Sequence, residues 1–212
     1  MAHIEDLGER IELVSMDQHF HDISIGLYER TDGGTHSFLP HTYSQLNGAA
    51  DRIDFLVGAM ATLGGMERVG NGDGVLQFPC GAEHTLGCRR IFLESCKIAS
   101  GTALEPKPLS IFDKKTERTI TVTSDGSGAY QLTADGPEDG RDRRVGAVAK
   151  GLVKLAQMDS DAEDQVRFAC GHAHDAMIGL LLARALNVRA AMREQEDQAG
   201  RGVLAAPSAQ SD

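Results

Sequence analysis

The chain has 212 residues, of which 41% are hydrophobic and 25% charged, a composition typical of a globular protein with a buried core. Its formal net charge of −10 disfavours nucleic acid and anionic membrane surfaces as partners. No apolar run approaches the ~20 residues that span a bilayer, and the start, MAHIEDLGER, lacks the basic region of a signal peptide. We therefore expect a cytoplasmic protein whose four cysteines are reduced.

The first half of the chain carries signals for a hairpin, a helix, a strand and a second helix. An alternating pattern around Asp32-Gly33 predicts the hairpin. Apolar residues at three- and four-residue intervals over 53–66 predict the first helix. After a polar loop, VLQF at 75–78 predicts a short strand that leads into a helix over about 82–99.

The second half repeats these signals in the same order. A hairpin is predicted around Asp125-Gly126, a helix over 145–158, a strand at QVRF (165–168) and a last helix over about 172–192. The apolar positions of the two halves fall in register. This agreement predicts a tandem duplication of one β-hairpin-α-β-α unit.

The predicted fold class is α+β, with a sheet layer and a helix layer in each repeat and a pseudo-twofold relation between the repeats. The first repeat covers 17–104 and the second 108–194. A leading segment, 1–16, has a weak helical pattern. The tail, 195–212, lacks apolar periodicity and is predicted to be disordered.

A seven-residue motif, Phe-x-Cys-Gly-x-x-His, occurs once in each repeat, as FPCGAEH at 78–84 and FACGHAH at 168–174. A cysteine and a histidine one helical turn apart can bind a metal ion through sulfur and nitrogen. If the repeats bring their motifs together, the result is a Cys2His2 site. The predicted metal ligands are therefore Cys80, His84, Cys170 and His174, with His172 as a further candidate.

Residues beside the motifs are candidates for chemistry at such a site. Glu83 and Asp175 are suited to proton transfer, and Arg89 and Arg90 to binding an anionic substrate group. A metal-free alternative makes the motif cysteine a nucleophile, activated by the start of the following helix and by a histidine base. A structural alternative treats Cys-Gly as a tight turn and the histidines as polar residues of a helix face.

The remaining cysteines and histidines differ between the repeats. Cys88 and Cys96 align with Ile178 and Leu186, so we predict that both are core residues. Four histidines around the first hairpin have no counterparts in the second repeat. They are either additional ligands or solvated polar residues: His19, His21, His36 and His41.

The segment KKTERTITVTSDGSGAYQLTADG (114–136) and the duplicated plan resemble the imidazoleglycerol-phosphate dehydratase family. The resemblance implies two halves with the ribosomal-protein-S5-domain-2-like fold, a lyase activity and a bound metal, which is manganese in that family. Where the family has His-His-x-x-Glu, this chain has Cys-Gly-x-x-His. Sulfur and imidazole ligands favour zinc or iron, with manganese still allowed.

These patterns predict a metal-dependent enzyme of lyase or hydrolase type that acts on a small molecule, with phosphorylated molecules among the options. The cofactor is a divalent transition metal, and no nucleic acid or membrane partner is expected. A homo-oligomer is compatible with the sequence. The alternatives are a metal-free cysteine enzyme and a non-catalytic duplicated module for binding or assembly.

Overall fold

A computed structural model describes residues 11–18, 23–42, 44, 46–70, 74–136 and 141–187. Within these residues, no helix combines the length and the apolar character that crossing a bilayer requires. The described chain forms two five-stranded antiparallel sheets and four helices, so the predicted α+β class is confirmed.

The first sheet and two helices are built from the first half of the chain. Its strands pair in the order β1-β2-β3-β5-β4. The elements are β1 (Ile11–Gln18), β2 (Ile23–Asp32), β3 (Thr35–Thr42), α1 (Ala49–Gly64), β4 (Glu67–Val69), β5 (Val75–Gln77) and α2 (Thr85–Cys96). Gly33 and Gly34, both with positive φ, form the two-residue turn between β2 and β3, as the Asp-Gly signal predicts.

The second half of the chain forms the second sheet and the other two helices. Its strands pair in the order β6-β7-β8-β10-β9, which matches the first sheet strand for strand. The elements are β6 (Ser110–Asp113), β7 (Arg118–Ser124), β8 (Ala129–Ala134), α3 (Arg141–Ala156), β9 (Asp159–Ala162), β10 (Gln165–Arg167) and α4, helical over 175–187.

One buried apolar cluster runs through both halves. In each half, alternate residues of the central strands point to the helices, as Ile25 and Leu27 do from β2 and Ile120 and Val122 from β7. Apolar helix residues at three- and four-residue spacing pack against these strand residues. Because the two halves share a core, their facing surfaces hold the loops that carry the repeated motif close together.

Some of the strands differ from the sequence predictions. Residues 11–16, predicted to be helical, lie in strand β1, which pairs with β2 at the sheet edge. The polar loops of the prediction contain the short strands β4 and β9. All residues of β4 and β9 are exposed, so neither strand has the buried face that an alternating pattern would reveal.

The predicted tail, 195–212, and the end of the last predicted helix, 188–192, lie outside the described residues, as do His19 and His21. The domain boundaries stay a prediction. The units contain more strands than the β-hairpin-α-β-α plan, because β1, β4, β6 and β9 add to it.

Candidate metal centre

The two motifs form matching turns between a strand and a helix. The Gly81 N–H donates to the Phe78 carbonyl at 2.8 Å, and the Gly171 N–H donates to the Phe168 carbonyl at 3.1 Å. Both glycines have positive φ, +67° and +71°, a conformation that a helix cannot continue and that favours glycine. Each turn therefore leaves its cysteine in a loop.

The helices begin later than the sequence predicts. α2 starts at Thr85 and α4 at residue 175, not at 82 and 172, since the left-handed glycine interrupts the chain first. Cys80 and His84 are therefore not on one helical turn. His84 instead occupies the position just before the helix and turns its ring inward without capping it.

The predicted Cys2His2 set comes together. The ligand atoms of Cys80, His84, Cys170 and His174 all lie within 4.8 Å of one another. Within each motif, Sγ of the cysteine lies close to Nε2 of the histidine, at 3.2 Å in the first and 3.4 Å in the second. A tetrahedral zinc ion places sulfur and nitrogen ligands about 3.6 Å apart, so these four groups can hold such an ion.

Aromatic rings enclose the nitrogen side of the centre. The His84 and His174 rings cross edge to face with centroids 4.4 Å apart and are only 4% and 5% exposed. The motif phenylalanines, Phe78 and Phe168, each contact both imidazoles, with centroid distances between 4.9 and 5.4 Å. The cysteines are half-buried, so the centre opens to solvent on its sulfur side.

This apolar surrounding fixes the protonation states of the ligands. Burial lowers the pKa of both His84 and His174 to about 4, so both imidazoles are neutral at pH 7. Glu83 opposes the shift at His84, whereas the neighbouring imidazole reinforces it at His174. Burial also raises the pKa of the Cys80 thiol, and the nearby Cys170 adds to that rise. Both effects disfavour the thiolate form of Cys80 in the absence of a cation, which is the reverse of what a metal-free nucleophile requires.

A tyrosine supports the second ligand loop. The backbone N–H of His174 donates to Tyr130 Oη at 2.5 Å, and the Tyr130 hydroxyl donates to Asp175 Oδ1 at 3.0 Å. Tyr130 is 2% exposed, so this hydroxyl satisfies a buried donor beside the ligand. This role could not be predicted from the sequence, since a single tyrosine in a strand is typical of a core residue.

The loop of the first motif is supported by the Glu29 carboxylate and not by a tyrosine. The Thr85 hydroxyl donates to Glu29 Oε1 at 2.9 Å and lies 3.2 Å from Glu83 Oε1. His36 Nδ1 is 3.0 Å from the same Glu29 oxygen. Thus one of the four unassigned histidines lies beside the centre, in contact with Glu29, and outside the four-ligand set.

The other predicted site residues lie around the centre. His172 is exposed, and its Nδ1 lies 2.9 Å from the Cys170 carbonyl oxygen, so it is not one of the four clustered ligands. Glu83 and Asp175 are exposed residues that accept the hydrogen bonds described above. On α2, Arg89 is exposed and Arg90 is half-buried. Their predicted roles with a substrate stay predictions.

Helices α2 and α4 meet through residues 90 positions apart in the chain. Met177 packs directly on Gly87, where an added side chain would collide with its sulfur. An ion pair joins Glu94 to Arg184 farther along the helices. The matched pairs in contact are His84–His174, Gly87–Met177 and Glu94–Arg184.

Two further contacts between the halves are reciprocal. The turn after α1 contacts the start of α4, since a side chain added at Gly65 would lie 3.1 Å from Ala176 Cβ. The turn after α3 contacts the start of α2, since the Leu86 N–H donates to Gln157 Oε1 at 3.4 Å. In each half, the helix that follows the motif is therefore contacted at its start by a turn of the other half.

Cys88 and Cys96 are buried in the core, as predicted, with exposures of 0% and 4%. Burial raises the pKa of the Cys96 thiol to about 11, and burial also raises the pKa of the Cys88 thiol well above its usual value. Comparisons with protein-family models, with curated proteins and with solved structures find no match to this chain. The resemblance to imidazoleglycerol-phosphate dehydratase stays a prediction.

Proposed function

We propose that the protein binds one zinc ion through Cys80, His84, Cys170 and His174, and that this ion fastens the two halves of the chain together. The observation that carries the proposal is the convergence of four ligand atoms, two from each half, within 4.8 Å. Two thiolates and two neutral imidazoles suit a tetrahedral zinc ion. Iron is the next candidate, whereas manganese prefers oxygen ligands.

A closed set of four protein ligands favours a structural ion. Catalytic zinc sites keep one coordination position for water or substrate, and four side chains fill a tetrahedral shell. The lyase or hydrolase activity predicted from the sequence requires such an open position. That activity, a small-molecule substrate and a homo-oligomeric state all stay predictions.

The same proposal includes an origin of the two halves by tandem duplication with pseudo-twofold symmetry. Its support is the matching strand order of the two sheets. Further support comes from the contacts at α2 and α4, where residues at matched positions touch each other. Contacts between matched positions are what a twofold axis produces. On this account the zinc ion lies near that axis.

The proposal is tested by metal content and competition with a chelator. Purified protein is expected to hold one zinc ion per chain, and Cys80→Ser, which removes a sulfur ligand, is expected to lower zinc affinity by about a hundredfold or more. Cys96→Ala is the matched control, since it removes a buried thiol away from the cluster and is expected to retain the ion. A metal-free protein that takes up no added zinc would overturn the proposal.

A further inference from the structure

The two sulfur ligands are close together and accessible. Their Sγ atoms lie within 4.8 Å of each other, and both cysteines are only partly buried, whereas the histidine ligands are almost fully buried. Reagents in solvent therefore reach the centre from its sulfur side. The other two thiols, Cys88 and Cys96, are buried in the core and provide an internal comparison.

The backbone around these sulfurs permits them to approach further. A disulfide requires sulfur atoms about 2.05 Å apart. Cys80 and Cys170 lie in loops after β5 and β10, before the helices begin, so no helix or strand holds either residue. Closing the gap therefore requires rotation of the two side chains and adjustment of the two turns, and it breaks no hydrogen bond within a helix or sheet.

We propose that Cys80 and Cys170 form a redox-sensitive pair, which hydrogen peroxide converts to a disulfide with release of the zinc ion and which a dithiol restores. This inference rests on the metal site proposed above. The residues come from the two halves, so the disulfide would join the same loops that the ion joins. Oxidation would thus set zinc free while the halves stay linked.

The chemistry takes two steps. One thiolate attacks peroxide, so that an S–O bond forms, the O–O bond breaks and the departing oxygen leaves as water after taking up a proton. The second thiolate then attacks the sulfenic sulfur, forming the S–S bond and releasing the hydroxyl oxygen as a second water. The two sulfurs lose two electrons, and peroxide gains them. Zinc keeps only the two imidazoles and dissociates.

The test uses the full chain loaded with zinc and treated with hydrogen peroxide in the presence of a zinc-sensitive dye. We expect release of one zinc ion per chain, in step with a Cys80–Cys170 disulfide identified by non-reducing peptide mapping. Cys88 and Cys96 stay as thiols, and dithiothreitol followed by zinc restores the starting state. Cys96→Ala is the matched control and is expected to behave as the parent protein does.

The outcomes separate this inference from the metal proposal. If zinc binds in a one-to-one ratio but peroxide releases none, or releases it with sulfinic acid and no disulfide, the redox inference is wrong and the metal site stands. If a disulfide between other cysteines accompanies release, the inference is also wrong. If the untreated protein binds no zinc, the metal proposal fails, and the switch fails with it.

Discussion

The metal-free protein should lose stability as the pH falls from about 6.5 to about 4, because two buried histidines resist protonation. The pKa of His84 and of His174 is about 4 in the folded protein, against 6.5 for an unperturbed histidine side chain. In this range the unfolded chain binds protons that the folded chain does not. The free energy of unfolding therefore rises with pH across the window and is fully developed above it.

The size of the effect follows from the two shifts. Lowering the pKa of each histidine from 6.5 to about 4 is worth about 3–4 kcal/mol, at ~1.4 kcal/mol per pKa unit. When both histidines titrate together, the slope near pH 5 is roughly 2 kcal/mol per pH unit. Because the two rings are in contact, the total for the pair is at most about 7 kcal/mol.

The assay is urea unfolding at a series of pH values with a chelator present. His174→Gln should remove about half of the slope, since one titrating imidazole remains. His172→Gln is the matched comparison, two residues away and exposed; since His172 contributes the smallest of the three causes that lower the His174 pKa, this variant should change the slope far less than His174→Gln does. A metal-free protein whose stability is constant between pH 6.5 and 4.5 would refute the burial argument. An equal slope in His174→Gln would refute the assignment to these rings.

Three substitutions test other parts of the site and core. Tyr130→Phe removes the acceptor of the His174 N–H and should cost about 1–3 kcal/mol of unfolding free energy, measured by urea unfolding. It should also lower zinc affinity about tenfold, measured by competition with a chelator. Unchanged affinity would contradict the positioning role of Tyr130. Ser95→Ala should raise the free energy of unfolding by about 1 kcal/mol, because the Ser95 hydroxyl is buried without a hydrogen-bond partner among the described residues. The matching position in the second half already holds alanine, Ala185. A lower free energy of unfolding would contradict this prediction. Gly171→Ala should weaken zinc binding through about 1 kcal/mol of backbone strain, because residue 171 has a φ of +71°. An added Cβ has open space there, so strain and not collision is tested. Retained affinity would show that the turn tolerates the change.

The sequence predicted much of the fold because its signals were local and occurred twice. The hairpin turns, the central helices and the two motif strands all follow from periodicity and turn residues. Strands β4 and β9 were missed because their residues are entirely exposed and show no apolar alternation. Strand β1 depends on pairing with β2, which is a tertiary contact that residues 11–16 do not encode alone.

The site shows the same division between local signals and long-range contacts. The repeated motif identified the four residues of the cluster, because cysteine and histidine occur at the same spacing in both halves. It did not identify Tyr130 or Glu29, which reach the ligand loops from distant strands. The predicted helix start was early because the left-handed conformation of Gly81 depends on the turn it closes.

X-ray absorption at the zinc edge tests the central claim most directly. For the zinc-loaded protein, we predict a first shell of two sulfur atoms at about 2.3 Å and two nitrogen atoms at about 2.0 Å, with one ion per chain. Cys170→Ser should lose one sulfur from that shell. A shell made only of oxygen and nitrogen, or one unchanged in Cys170→Ser, would contradict the account.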